Sequence, residues 1–358
     1  MLTHLQTIAG AFRRDVPAAH KRPIAIVGAG AIVDVAHLPA YRRAGLEIRG
    51  IFDVRAERAQ EVARRHGVPH VYSDLDELLG DEAAEVVDVA VVPQAQPALV
   101  RRLLSAGRHV LAQKPLAPAL AEATELADLA EERDRVLVVN QQMRYGEGMA
   151  IARAISEAGW IGEVTTFEFH VNINTDWTAW DWIVQSPQLD LRYHSIHYLD
   201  SVRALLGTPA CVFCAGAQRP GQVAAGETRT ISTLIYDEGP RAVLHVNHEN
   251  IAGDYEARFR IDGSRGSVRG TIGLLYDYPH GRPDTLEVFS EVLPTDGWLP
   301  YPVTTRWIPD AFAGPMGALL ASVATGEPAP TAARDNLGTL ALLEALYRSM
   351  NERRVEML

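Results

Sequence analysis

Cysteine is nearly absent from this chain: Cys211 and Cys214 are the two in 358 residues. That excludes a disulfide scaffold, and with no second pair to complete a C-x-x-C half-site it argues against structural zinc. No apolar run approaches the roughly 18 to 20 residues of a membrane-spanning helix. Residues 1–23 lack the apolar centre of a secretory leader, so a cytoplasmic location is expected. Basic blocks are missing as well. The 45 acidic residues outnumber 34 basic ones for a formal net charge of −11, spread along the chain, so neither nucleic acid nor a membrane surface is expected as a partner. The histidines His194, His197, His245 and His248 form no recognised ligand frame, and no metal is expected.

What is present is a long, apolar chain. At 47% hydrophobic over 358 residues, with 28 Gly and 21 Pro, it is too long for one ordinary core and too apolar for disorder, so two packed domains are expected. The first half alternates strand and helix. An apolar run over 23–28 ends in glycine, a helical stretch follows over 35–44, and a second strand runs over 46–53. Then come a helix over 56–66, a short strand at 70–72, a helix begun by Ser73, a strand over 86–92, a helix over 97–106 and a strand over 109–112. This order reads as a doubly wound α/β domain with a parallel sheet.

Gly28-Ala-Gly30-Ala-Ile-Val33 lies between the first strand and the first helix. Glycine at 28 and 30 allows a tight turn and lets backbone N–H groups approach a pyrophosphate. Val33 occupies the third glycine position of that fingerprint. The candidate cofactor contacts here are Gly28, Gly30, Ala31 and Ile32. Asp53 ends the second strand 25 residues after Gly28, near the spacing at which a carboxylate accepts from an adenosine ribose. Arg55 could pair with a 2′-phosphate, which the Asp53 carboxylate would repel, so NAD is expected as cofactor without excluding NADP. Two further strand ends, Val92-Pro93-Gln94 and Gln113-Lys114-Pro115, fall on the ligand-binding edge of such a sheet and complete the cofactor set.

The run Gly107-Arg-His-Val-Leu-Ala-Gln-Lys-Pro-Leu116 resembles the strand-end Glu-Lys-Pro segment of the glucose-fructose oxidoreductase and inositol dehydrogenase (Gfo/Idh/MocA) family. The likeness extends through Asn140 to Tyr145, Gly159 to Val164 and Glu344 to Ser349. The resemblance implies a Rossmann domain over 23–145 after an arm over 1–22. It implies an α+β domain over 146–330 with a large, open, mainly antiparallel sheet for substrate and oligomerisation, and a C-terminal helix over 331–358. It also implies that Lys114 holds the nicotinamide and the reacting hydroxyl. Anchoring on His197-x-x-Asp200 places His197 at the family's catalytic histidine. Tyr193 then stands where an aspartate is usual, with Asp190 as a partial substitute, and Gln113 replaces the glutamate.

On this reading the chain is an NAD(P)-dependent dehydrogenase acting on a CH–OH group of a monosaccharide, cyclitol or related polyol. An imidazole at His197 can accept a proton at neutral pH, and Lys114 can donate to a developing alkoxide or, if desolvated, exchange roles. The candidate substrate contacts are Tyr193, His194, Arg144, Asp176, Trp177 and Trp180. The last three belong to a loop with three tryptophans in six residues, which suits stacking on sugar C–H faces or packing at an interface. The alternatives are a non-catalytic nucleotide-binding sensor on the same fold and a reductase running the reaction backward. Alternating runs over 230–236, 241–247 and 255–262 predict antiparallel strands with one covered face. The other face needs a partner, and the family resemblance implies that it packs face to face in a homodimer or homotetramer. Helices over 311–325 and 332–353 are expected to close the chain.

Overall fold

The computed structural model describes residues 8–12, 15–237, 239–293 and 297–358; residues 1–7, 13 and 14 of the expected arm lie outside them. Among the described residues the chain divides into two compact units. One comprises 15–142 and 308–340; the other comprises 143–307 and 341–358, together with 8–12.

In the first unit, β1 (Ile24–Val27), β2 (Ile48–Phe52), β3 (Val86–Val89), β4 (His109–Ala112) and β5 (Leu137–Val139) form a parallel sheet in the order β2-β1-β3-β4-β5. Every residue of β1, β3, β4 and β5 is buried, the burial that a parallel sheet covered on both faces requires. The order reverses at β1, so the crevice beyond the carboxyl ends of β1 and β3 is the switch point at which such sheets take ligands. The expected 70–72 strand is reduced to a bridge between Val71 and Ile51. The helix expected over 35–44 is broken into a wide π-type turn, Val33–His37, and a helix, Leu38–Arg43. Pro39 has no N–H to donate one turn back, which accounts for the break. The next helix, Ala56–His66, stops where Gly67 takes the left-handed conformation at φ +66°. In helix Leu75–Gly80 the cap is Asp74, which accepts from the Glu77 N–H at 2.8 Å, while Glu77 returns a bond to the Ser73 N–H at 2.6 Å.

The second unit carries a nine-stranded sheet built from β6 (Val164–Asn172), β7 (Cys211–Ala217), β8 (Arg229–Ile235), β9 (Arg241–Asn247), β10 (Glu256–Gly263), β11 (Gly266–Thr271), β12 (Leu286–Ser290), β13 (Leu299–Tyr301) and β14 (Glu356–Met357). The order is β13-β12-β11-β10-β6-β9-β8-β7-β14, antiparallel except where β6 meets β9. Burial alternates along β8, β9 and β10, as period-2 side chains on a one-sided sheet require. The covered face packs Phe167, Phe169 and Phe259 against Tyr198 of the helix Ile196–Leu206, with Phe169 and Tyr198 stacked at 4.7 Å. Cys211 and Cys214 are three residues apart on β7 and therefore point to opposite faces; Cys214 is buried against Ser232. The closing helices are Ala313–Thr325 and Ala333–Glu352.

Candidate active site

The glycine turn is shaped by the sheet beneath it. Gly28 follows β1 with φ +107°, and a Cβ there would lie 2.3 Å from the Ala90 carbonyl oxygen after β3, so no other residue fits. A Cβ at Gly30 would meet nothing within 4 Å, so the space above that backbone is open to a ligand. Ala31 is exposed, Ile32 half-buried and Val33 fully buried. The side chain at the third fingerprint position thus points into the core and leaves the turn clear.

Asp53 stands beside this turn. One oxygen accepts from the Ala29 N–H at 2.7 Å and the other from the Arg55 N–H at 2.8 Å. The Arg55 side chain is largely exposed, with its Nε 3.7 Å from Asp53. Arg58 is engaged by the Ala29 carbonyl, Glu61 and Asp34. An open glycine turn with a carboxylate fixed at the end of β2 fits the pyrophosphate and ribose of a dinucleotide whose ribose bears no phosphate. Beyond β3, Val92 and Gln94 are exposed and Pro93 is buried.

Lys114 follows β4, half-buried, with a cis peptide to Pro115. Desolvation pushes its ammonium down from the ordinary 10.5 to about 8, because burial penalises the charged form. Gln113 is half-buried, its amide 2.6 Å from His37 Nε2. His37, Tyr41 and Asp88 behind it are fully buried. Sequence reasoning missed this cluster. The available signal was Asp88 itself, a lone carboxylate inside the apolar run of β3, which must find a partner to be tolerated there.

In the second unit, a π-type turn, Asp190–Ser195, leads into the helix Ile196–Leu206. His197 is buried in its first turn, edge-on to the Trp307 ring at 5.3 Å. His194 is half-buried, edge-on to Tyr198 and to His248, 4.4 Å from the latter. Tyr193 packs on a small cluster of Trp177, Ile183, Leu189 and Ala224 and meets the exposed Trp182 edge-on at 5.2 Å.

The remaining candidates are placed less openly. Arg144 is buried and grips Asp200 with two bonds, at 2.5 and 2.7 Å. Asp176 accepts from the Thr178 N–H and hydroxyl. Trp177 is buried against His248, and Trp180 leans on Trp177 and Tyr278. Asp190 is fully buried: Ser195 Oγ donates to Oδ1 at 2.8 Å, His248 Nε2 lies 3.0 Å and His194 Nδ1 3.5 Å from it, and Thr230 donates to Oδ2. The carboxylate expected to replace a substrate-facing aspartate is therefore an interior anchor for two imidazoles. Asp190, His194 and His248 also put one potential ligand atom each within 4.8 Å of one another.

Residues 22–141 match the oxidoreductase family with an NAD-binding Rossmann fold, and residues 149–269 match the Gfo/Idh/MocA C-terminal domain. An uncharacterised oxidoreductase of Schizosaccharomyces pombe is 31% identical over 255 residues, covering 68% of this chain and 69% of its own. The chain belongs to the Gfo/Idh/MocA family. NAD is accordingly its cofactor, in keeping with the glycine turn and Asp53. A D-apiose dehydrogenase of Paraburkholderia graminis is 27% identical over 89% of this chain and 85% of its own. Among solved structures, an Agrobacterium radiobacter oxidoreductase in complex with NAD+, L-tartaric acid and magnesium shares the fold with a TM-score of 0.81. It is 23% identical over 94% of this chain and 98% of its own.

Proposed function

We propose that this Gfo/Idh/MocA protein oxidises a hydroxyl-bearing carbon of a monosaccharide, cyclitol or related polyol, with Lys114 and His197 handling the hydroxyl proton. The observation that carries the reading is Lys114 at the carboxyl end of β4, desolvated to about 8. An amine of that value exists in both forms near neutral pH and can take up or release a proton. The similarity to a D-apiose dehydrogenase supports a sugar-like substrate.

Bound NAD supplies the hydride acceptor. The chain's own groups then do the rest. Gly28, Gly30, Ala31 and Ile32 would hold its pyrophosphate by their backbone and Asp53 its ribose hydroxyls, with Val92, Pro93, Gln94 and Gln113 at the strand ends beside it. Lys114 Nζ donates to the reacting hydroxyl oxygen as charge develops, or accepts its proton when neutral; His197 is the second acceptor. On this reading Tyr193, His194, Trp180 and the loop around Asp176 would contact the sugar, while Trp177 and Arg144 are buried.

The test is a pH profile of kcat/KM for NAD reduction, run on the best substrate from a panel of aldoses and polyols, with NADP in parallel. If Lys114 is the acceptor, activity rises with pH through about 8 and levels off above it. An acid limb near the ordinary imidazole value of about 6.5 would assign the step to histidine instead.

The uncovered face of the second unit's sheet presents Phe213, Ile231 and Phe289 on β7, β8 and β12. We read it as the contact between copies in a homodimer or homotetramer, because Phe213 and Ile231 stand exposed on the adjacent strands β7 and β8, and Phe289 further along the sheet, and exposed apolar side chains favour burial. Light scattering should give at least twice the 39.2 kDa of one chain; a monomeric mass would remove this reading.

A further inference from the structure

Behind the segment that carries Lys114 lies a buried chain of polar side chains that the proposed reaction does not use. Asp88 Oδ2 accepts a hydrogen bond from the Tyr41 hydroxyl at 2.7 Å and lies 2.6 Å from His37 Nδ1. Burial and the neighbouring Asp88 push the Tyr41 phenol well above its ordinary value, so it remains a donor. On the other side of the ring, His37 Nε2 faces the side-chain nitrogens of Gln113 at 2.6 Å and Asn140 at 3.5 Å. The Phe312 ring closes the ring's flank at 5.0 Å. With the amide nitrogens of Gln113 and Asn140 turned toward the ring, His37 Nε2 is the acceptor, because an amide nitrogen can only donate. The one ring proton then sits on Nδ1 and is donated to Asp88. The arrangement holds one carboxylate, one phenol, two side-chain amides and one imidazole that donates on one side and accepts on the other.

Gln113 is held from a second direction. Gln96, also fully buried, accepts the Gln113 N–H on its Oε1 at 2.8 Å. Its Nε2 donates to the carbonyls of Gln113, Pro115 and Leu116 at 2.7, 3.0 and 3.0 Å. These bonds grip the backbone on both sides of Lys114.

We propose that Gln113 is a positioning residue for Lys114, and that the buried Asp88–His37 pair is matched to a neutral amide at 113 and would reject a carboxylate there. A glutamate would set its charge against the Nε2 lone pair unless the buried ring took up a second proton. The same chain of contacts accepts one carboxylate on either side of His37, because an imidazole can carry its proton on either nitrogen. Moving the charge from 88 to 113 should therefore be tolerated where adding one is not. This deepens the reading of Lys114 as a proton-handling group and rests on it.

The test is a double-mutant cycle of wild type, Gln113→Glu, Asp88→Asn and the double variant, read by melting temperature, NAD affinity and kcat. Gln113→Glu should melt roughly 5–10 °C lower and turn over at least about tenfold more slowly, with any weakening of NAD binding at this cofactor-lining residue smaller than the loss in kcat. The double variant should recover more than half of both losses. Should Gln113→Glu fail to fold, recovery of folded protein in the double variant is the same result. Additive losses, or a Gln113→Glu protein that behaves as wild type, would overturn the matched-charge proposal. Coupled melting temperatures with unchanged kcat in all four proteins would overturn the positioning of Lys114 by Gln113. Lys114→Ala with near-normal turnover would instead remove the Lys114 reading, and the coupling in melting temperature would still stand or fall on its own.

Discussion

Lys114→Ala should lower kcat for NAD reduction by about 10²–10⁴-fold, the range that positioned acid–base groups contribute, while leaving NAD affinity nearly unchanged. The affinity is expected to hold because the glycine turn and Asp53, which carry the dinucleotide, are formed by β1, β2 and β3 and not by the end of β4. The loss should appear in kcat more than in KM, since a group that bonds more strongly to the developing alkoxide than to the hydroxyl acts on the transition state. Lys114→Arg should not rescue. Guanidinium stays charged at any working pH and cannot take the proton that an amine with a value of about 8 can. Steady-state kinetics with fluorescence titration of NAD separates the two quantities; turnover near wild type in Lys114→Ala would defeat the assignment.

Asp190→Ala should be the most damaging change outside the reaction centre, lowering stability by about 3–5 kcal/mol, the cost of breaking a buried charged arrangement by removing one partner. Ser195, Thr230 and His248 would each lose an acceptor in an interior where unpaired donors are costly. Burial alone pushes the Asp190 carboxyl up, but hydrogen bonds from His194 and His248 outweigh it and hold the group below the ordinary carboxylate range. The sign of the linkage follows. A depressed carboxylate contributes stability that is present above the unfolded value of about 3.9 and is lost as the pH falls through the folded value. Urea unfolding should show the gap between wild type and Asp190→Ala at neutral pH, shrinking on acidification below about 4. A gap under about 1 kcal/mol at neutral pH would contradict the anchor role.

The two proteins address different levels of the structure, and so did the sequence. Local pattern was enough for the alternation of β1 to β5 with helices, for the glycine at 28 and for Asp53 at the end of β2, because each depends on neighbours within a few residues or on one strand-turn-helix unit. Lys114 was visible for the same reason, as a lysine closing an apolar strand. The antiparallel runs of β8, β9 and β10 announced themselves by period-2 alternation, within about a residue of their observed bounds.

What stayed hidden depends on partners far along the chain. His37 meets Asp88 across 51 residues and Asp190 meets His248 across 58. No spacing rule connects such pairs, and only the sheet order brings them together. Arg144 carried the look of a substrate-facing cation until Asp200, 56 residues on, was found against it. The tryptophan loop divides along the same line: composition could not separate Trp177, buried in a small apolar cluster, from Trp182, which is exposed. The break in the first helix was legible in principle, since Pro39 removes a donor within the first turns.

The most direct measurement is the fate of the hydrogen on the carbon that reacts. With substrate deuterated at that carbon, NAD and the wild-type protein, the account predicts NADH that carries the deuterium on its nicotinamide ring, and none formed by Lys114→Ala on the same timescale. Reduced cofactor lacking the label, or saturable NAD binding with no reduction across the whole panel of aldoses and polyols, would contradict it.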